Sequence, residues 1–195
     1  MGLNTEKLIL TKGLIMYEQG FIFRKARGLE STPGNVFANI TKETIELRDE
    51  VEAENELGIV DELCDHVIYP INILEALGHD AKSNIESIQS GDSQLLDNAV
   101  SPSESVSCFM IALANWNLEK DVKALALIAR IALKALDSMG YNSVACVTEK
   151  FLCVNSREGT YNTTTDKWEK FKNQPQSEIY QPQYNQCKKE DLLNT

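Results

Sequence analysis

Leu118, Val122, Leu125, Ala129, Ala132, Leu136 and Met139 recur in alternating steps of four and three, and no other pattern in the chain constrains its fold as tightly. With about 3.6 residues to a turn, such steps keep side chains on one stripe of an α-helix. Ala124, Leu127 and Ile131 make another side of the same helix apolar. A helix apolar on more than one side needs cover all round, so this segment is expected at the centre of a bundle or against a second copy of the chain.

The remaining punctuation is helical as well. The mixed apolar stretch from Leu8 to Phe23 reads as a helix, and Pro33-Gly34-Asn35 breaks it. A periodic acidic segment runs from Val36 to about Glu54. Gly58 then marks a tight connection into a helix from about Ile59 to Leu77, with a kink or break expected at Pro70 and a left-handed closing turn at Gly78. Residues 80–100 are polar and have room for one short helix. Ser101-Pro102-Ser103-Glu104 is a start signal, with a capping serine, proline in the first turn and glutamate at the third position. Gly140 ends the seam helix, and another is expected from about Ser143 to Val154.

From Ser156 onward Asn, Gln, Thr, Lys, Pro and aromatics dominate without periodicity, and Tyr161, Trp168, Phe171, Tyr180 and Tyr184 suggest a tail draped on the body. No segment shows a convincing strand period. The expected class is all-α. A helical domain covers 1–155, with 80–138 as an insertion or association element, and an irregular tail covers 156–195.

Composition narrows the function. A chain of 195 residues, 43% apolar and 25% charged, is expected to form one globular domain. Its net charge of −10 repels nucleic acid. No apolar run approaches the roughly 18 residues of a membrane span, and the polar start lacks a signal-peptide core. Five scattered cysteines and two histidines suit neither a disulfide framework nor a zinc site. A reducing cytoplasm is the expected setting, and the thiols are expected to be packing groups. There is no phosphate-cradling glycine loop, serine elbow or Cys–His pair.

Charge is not spread evenly. Residues 41–65 hold ten acids against Lys42 and Arg48, and so carry −8 of the total −10. Glu43 and Glu46 are three apart on one helix, and Glu62 and Asp65 are three apart on the next. Residues three apart share a helix face, so an antiparallel hairpin of the two helices gathers four carboxylates. Crowded carboxylates raise one another's pKa unless a cation sits among them, and a hard divalent ion is the natural one. A merely solvated acidic face has the same composition. His66 points away from this face and is expected to be structural.

Glu43-Thr44-Ile45-Glu46, followed after fifteen residues by Glu62-Leu63-Cys64-Asp65, resembles the two-part acidic signature of the MazG-like all-α nucleoside triphosphate pyrophosphohydrolases. Lys42 stands where many members have another glutamate, one that dCTPase-type relatives also lack. Pro33-Gly34-Asn35-Val36-Phe37 is similar to the turn that opens the motif helix in that branch. Lys150, Asn155, Arg157 and Tyr161 resemble the family's cluster of Lys, Asn, Arg and Tyr, although Lys150 is spaced further from Asn155 than is usual. The tail from Gly159 to Tyr180 is similar to that of phage-type members.

The resemblance implies hydrolysis of a (deoxy)nucleoside triphosphate to monophosphate and pyrophosphate in nucleotide-pool control, with Mg²⁺ or Mn²⁺ held by Glu43, Glu46, Glu62 and Asp65. Glu50 or Asp61 (or Asp49) takes the water proton in this reading. Asn155, Arg157, Lys150, Lys167 and Lys170 meet phosphates; Tyr161, Phe21 and Phe23 contribute to the substrate pocket, with Trp116 and Trp168 as alternatives for the base. A homodimer or homotetramer is implied. Two other readings stay open. One is a non-catalytic helical module that binds a basic partner; the other is a phosphoribosyl-ATP pyrophosphohydrolase.

Overall fold

The computed structural model describes residues 16–20, 22–25, 27, 36–91, 93–162, 164 and 167–189, and of Tyr161, Lys167 and Trp168 the backbone alone. The fold is all-α with one small β-hairpin. Residues 16–20 and 22–25 are helical, within or next to the stretch expected to be; Phe21 and most of that stretch lie outside the described residues.

Helix α1 (Val36–Glu52) buries Val36, Ile40, Glu43, Thr44 and Leu47, which fall at helical spacing on one side. A three-residue turn leads into α2 (Glu56–Ala76), with Glu54 in the left-handed region at φ 52°. The second helix begins earlier than the glycine suggested. Asn55 caps it, its side chain accepting from the Gly58 amide at 3.3 Å, so Gly58 lies inside the first turn. Pro70 is buried within α2, which runs on without a break. Gly78 closes it at φ 79° as expected. Its amide reaches Glu75 O at 3.0 Å and that of His79 reaches Leu74 O at 2.9 Å, the paired bonds of a Schellman turn.

The polar stretch holds two short helices, α3 (Ala81–Ser87) and α4 (Gln94–Asn98), where one was expected. Ser101 caps α5 (Pro102–Glu119) and exchanges bonds with Glu104, as the start signal predicted. The seam is not continuous. Lys120 turns left-handed at φ 53°, and Asp121 caps a new helix, α6 (Val122–Ser138). Leu118 therefore belongs to α5 and is 80% exposed. Of the rest of the seam, Leu125, Ala129, Ala132 and Leu136 are buried within this chain and Val122 and Met139 half-buried, as α6 packs on α2, α3, α5 and α7 (Ser143–Ser156). Its apolar sides are spent on its own domain.

Beyond α7, strands β1 (Gly159–Asn162) and β2 (Lys167–Lys170) pair antiparallel, Gly159 opposite Lys170. Four residues are too few to show an alternating pattern, and the hairpin is a short regular piece within a tail that is irregular as expected. The tail then returns to the body. Tyr184 and Cys187 are buried, and the Asn142 amide donates to Cys187 O at 2.8 Å. All five cysteines are buried thiols outside any disulfide, in keeping with a packing role. Among the described residues no helix is long and apolar enough to cross a membrane.

Candidate metal centre

Helices α1 and α2 pack side by side, and their facing acids meet halfway along. Glu43, Glu62 and Asp65 each present a carboxylate oxygen, and these lie within 4.8 Å of one another. Ile40 and Leu47 flank Glu43 on the buried side of α1, and Leu63 and Cys64 lie next to Glu62 on α2. The apolar register thus carries the acids inward. Glu43 is 6% exposed, and Glu62 Oε2 is buried with no hydrogen-bond partner.

Burial and the neighbouring Asp65 charge push Glu43 up to about 7 and Glu62 up to about 8. Burial raises Asp65 too, against the pull of Lys150. Glu46 also joins the group, but at its rim. Burial pushes it up, yet hydrogen bonds from Lys42 and Glu43 outweigh this and hold it below the usual carboxylate range. Lys42 Nζ lies 2.6 Å from Glu46 and 3.4 Å from Glu43, so this lysine works as a local counter-ion. The Tyr69 hydroxyl, one turn beyond Asp65, faces Glu43.

A second layer lies behind the acids. Lys150 Nζ, on α7, sits 2.5 Å from Asp61 Oδ2 and 2.8 Å from Asp65 Oδ2 with its side chain 4% exposed. Burial opposes its charge, but Asp65 and Asp61 more than offset this and keep it protonated. The Tyr184 hydroxyl donates to Asp61 Oδ1 at 2.5 Å. Each oxygen of Asp61, the residue expected as a candidate base, therefore has a partner, and the side chain anchors Lys150. Lys150, expected to meet a phosphate, is turned onto these two carboxylates.

Glu50 is not brought to the cluster. It stands seven residues beyond Glu43, about 10 Å along the helix axis, where its carboxylate accepts from Asn55 Nδ2 at 2.6 Å at the hairpin turn. Asp49 is exposed and paired with Arg48 at 2.6 Å. Asn155 donates to Gln19 Oε1 at 2.9 Å, which ties α7 to the first helical segment and not to the acids. Arg27 covers the Phe23 ring at 4.2 Å and donates to the carbonyls of Val154 and Arg157. Trp116 is buried in the core, which removes it as a base platform.

Two expected phosphate contacts do approach the acids. Arg157 acts electrostatically on Asp65, and its Nη2 lies 3.4 Å from Cys153 Sγ. Lys170, at the end of β2, is within the field of Arg157, Asp65, Lys150 and Lys42; burial and the Arg157 charge lower its pKa. Phe21 and the side chains of Tyr161 and Lys167 lie outside the described residues.

His66 is structural. Its Nδ1 donates to Glu62 O at 2.8 Å, Nε2 lies 2.9 Å from Thr44 Oγ1, and the ring stacks on Phe109. Burial lowers its pKa to about 4, so it is neutral and pins α1 to α2. Sequence reasoning missed Tyr69 and the Tyr184–Asp61 contact. Only the former had a signal, since Glu62, Asp65 and Tyr69 follow at helical spacing.

Comparison with family models, with curated proteins and with solved structures gave no match.

Proposed function

We propose that this protein is a divalent-cation-dependent hydrolase of nucleoside triphosphates that releases the monophosphate and pyrophosphate. The observation that carries the reading is the meeting of Glu43, Glu62 and Asp65 within 4.8 Å, with a buried carboxylate oxygen of Glu62 left unpartnered. All-oxygen, anionic donors suit Mg²⁺ or Mn²⁺, and the orphaned oxygen is a group that a cation would satisfy. Glu43, Glu62 and Asp65 would hold it, with Glu46 at the rim. When bound, such an ion offsets charge on phosphate oxygens and lowers the pKa of a coordinated water.

The chain's own residues supply the rest. Lys150 pairs with one oxygen of Asp65, and Asp61 with Tyr184 fixes Lys150 in turn. Arg157 and Lys170 add positive charge within the field of Asp65, and phosphate oxygens need such partners. Glu46 keeps its ionised form beside solvent, with its side chain 42% exposed, and is the carboxylate best placed to accept a proton from outside.

One observation favours a second reading. Lys150 already brings a positive charge to Asp61 and Asp65, as a purely structural ion network in a non-catalytic helical module would require. Incubation with each common NTP and dNTP, with Mg²⁺ or EDTA, followed by separation of products, distinguishes the two. Metal-dependent monophosphate plus pyrophosphate, abolished by Glu62→Gln, is expected. Diphosphate plus phosphate would move the attack to the terminal phosphorus, and no turnover by a folded protein would favour the module.

A further inference from the structure

We propose that Cys146 and Cys187 form a reversible disulfide, closed by thiol exchange with a small-molecule disulfide, that ties the tail of the chain to α7. Both residues stand where the tail returns to the body. Asn142 caps α7; its amide donates to Cys187 O at 2.8 Å, and its carbonyl accepts from the Cys146 amide at 3.0 Å. Tyr141 and Lys188 pair as an antiparallel bridge, and the Lys189 amide donates to Gly140 O at 2.9 Å. This register lays Cys187 against the first turn of α7, which carries Cys146.

The two thiols are hydrogen-bonded to each other, and Cys187 Sγ lies 3.8 Å from Gln183 O, to which it donates. Closing the bond draws sulfurs already in contact to about 2.0 Å. Cys64 on α2 lies in the same buried patch, within the field of both thiols, but the hydrogen bond joins Cys146 to Cys187. The two are 41 positions apart in the chain, one on a packed helix and the other on the returning tail. A cross-link there turns a docking held by hydrogen bonds and packing into a covalent one.

While the tail is docked the pair stays reduced. The hydrogen bond with Cys187, with burial added, pushes the Cys146 thiol up, and the thiolate is the nucleophile. The chemistry begins when the tail lifts by local opening. Besides the backbone bonds, the Tyr184 hydroxyl on Asp61 and Lys188 Nζ at 3.0 Å from Glu56 hold it, and their loss leaves α1 to α7 in place. The Cys187 thiol then gives its proton to water, and its thiolate attacks one sulfur of the small disulfide; that S–S bond breaks and one small thiolate leaves. Cys146, deprotonated in turn, attacks the Cys187 sulfur of the mixed disulfide and expels the second small thiolate. The leaving thiolates take up the two protons, so two protein thiols and one small disulfide become one protein disulfide and two small thiols. Once closed, the bond holds Tyr184, three residues before Cys187, beside Asp61.

Incubation of the full chain with oxidised glutathione at mildly alkaline pH, followed by intact mass and peptide mapping without reductant, tests this directly. The product is expected to be lighter by two hydrogens, with its thiol count after unfolding reduced from five to three. The map is expected to join the Cys146 peptide to the Cys187 peptide. Tm is expected to rise by roughly 5–15 °C, the scale for closing a loop of this length in a chain of this size, and to fall back on adding dithiothreitol. Cys146→Ala and Cys187→Ser are each expected to lose that rise, and Cys64→Ala to keep it. A glutathione adduct that persists on Cys187, or a cross-link to Cys64 in its place, overturns the proposal. So does a count that stays at five under conditions that oxidise the urea-unfolded chain.

Discussion

The acids at the tip of the α1–α2 hairpin and those halfway along it are the same residue types on the same two helices, yet they meet different solvents. At the tip, Asp49, Glu52 and Glu54 are exposed, and Arg48 reaches Asp49 at 2.6 Å and Glu52 at 3.7 Å. Such surface pairs contribute little, because water and salt screen them. Halfway along, Glu43, Glu62 and Asp65 face one another between the helices, backed by the buried Lys150. There burial, with the neighbouring charge added, raises carboxyl pKa values, and one buried oxygen has no partner. Acid content is thus a poor guide to a cation site. The useful signal is acids whose helical register aims them at each other.

The strongest way to break this contrast is to remove the buried cation. Lys150→Met leaves Asp61 and Asp65 uncompensated and is expected to cost about 3–5 kcal/mol in urea denaturation, the scale for breaking one side of a buried pair. Lys42→Met, at a side chain 63% exposed, is expected to cost less than about 1 kcal/mol. Equal costs for the two would dissolve the distinction.

Cation linkage sharpens it. A hundredfold excess of Mn²⁺ over its Kd is expected to stabilise the fold by about 2.7 kcal/mol, or roughly 5–10 °C in Tm. Glu62→Gln and Asp65→Asn are expected to abolish that gain, and Glu52→Gln/Glu54→Gln to preserve it. Loss of the gain in the tip variant would place the ion at the wrong end of the hairpin.

Next in size is the tail contact. Tyr184→Phe removes the hydroxyl from Asp61 and is expected to cost about 1.5–3 kcal/mol, as for a hydrogen bond to a charged group.

The pH dependence has a definite sign. Glu43 and Glu62 have folded values of about 7 and about 8, above the ordinary 4.5, so the folded state holds protons that the unfolded state has released. Their contribution is fully present below that ordinary value and is lost as pH rises through 7 and 8. Metal-free Tm is therefore expected to fall between pH 5 and pH 8, and the fall to flatten in Glu43→Gln/Glu62→Gln. The cation gain should grow over the same window. The smallest effect belongs to the tip, where Glu52→Gln alone is expected to change stability by no more than about 0.5 kcal/mol.

The sequence already contained the convergence of Glu43, Glu62 and Asp65, because two i,i+3 pairs on helices joined by a short turn leave few other arrangements. It did not say where Glu50 ends, since the Asn55 cap, and not Gly58, sets the start of α2. The break at Lys120 was hidden by the four-three rhythm, which runs across it unbroken. Asp121 before Val122 was a visible cap signal, and it competed with that rhythm. Burial of α6 followed from its apolar sides, but whether its cover came from within the chain or from another copy did not. The β1–β2 pair is too short to have a legible period. Tyr184 meets Asp61 across 123 positions of chain, a pairing that no local pattern encodes.

Calorimetric titration of Mn²⁺ at pH 7, repeated in two buffers of different ionisation enthalpy, tests the central claim most directly. The account predicts a single class of site whose binding releases protons, since Glu43 and Glu62 must ionise to take up the ion, and predicts its loss in Glu62→Gln. Binding without proton release, or binding that Glu62→Gln leaves intact, would contradict a cation centre at these carboxylates.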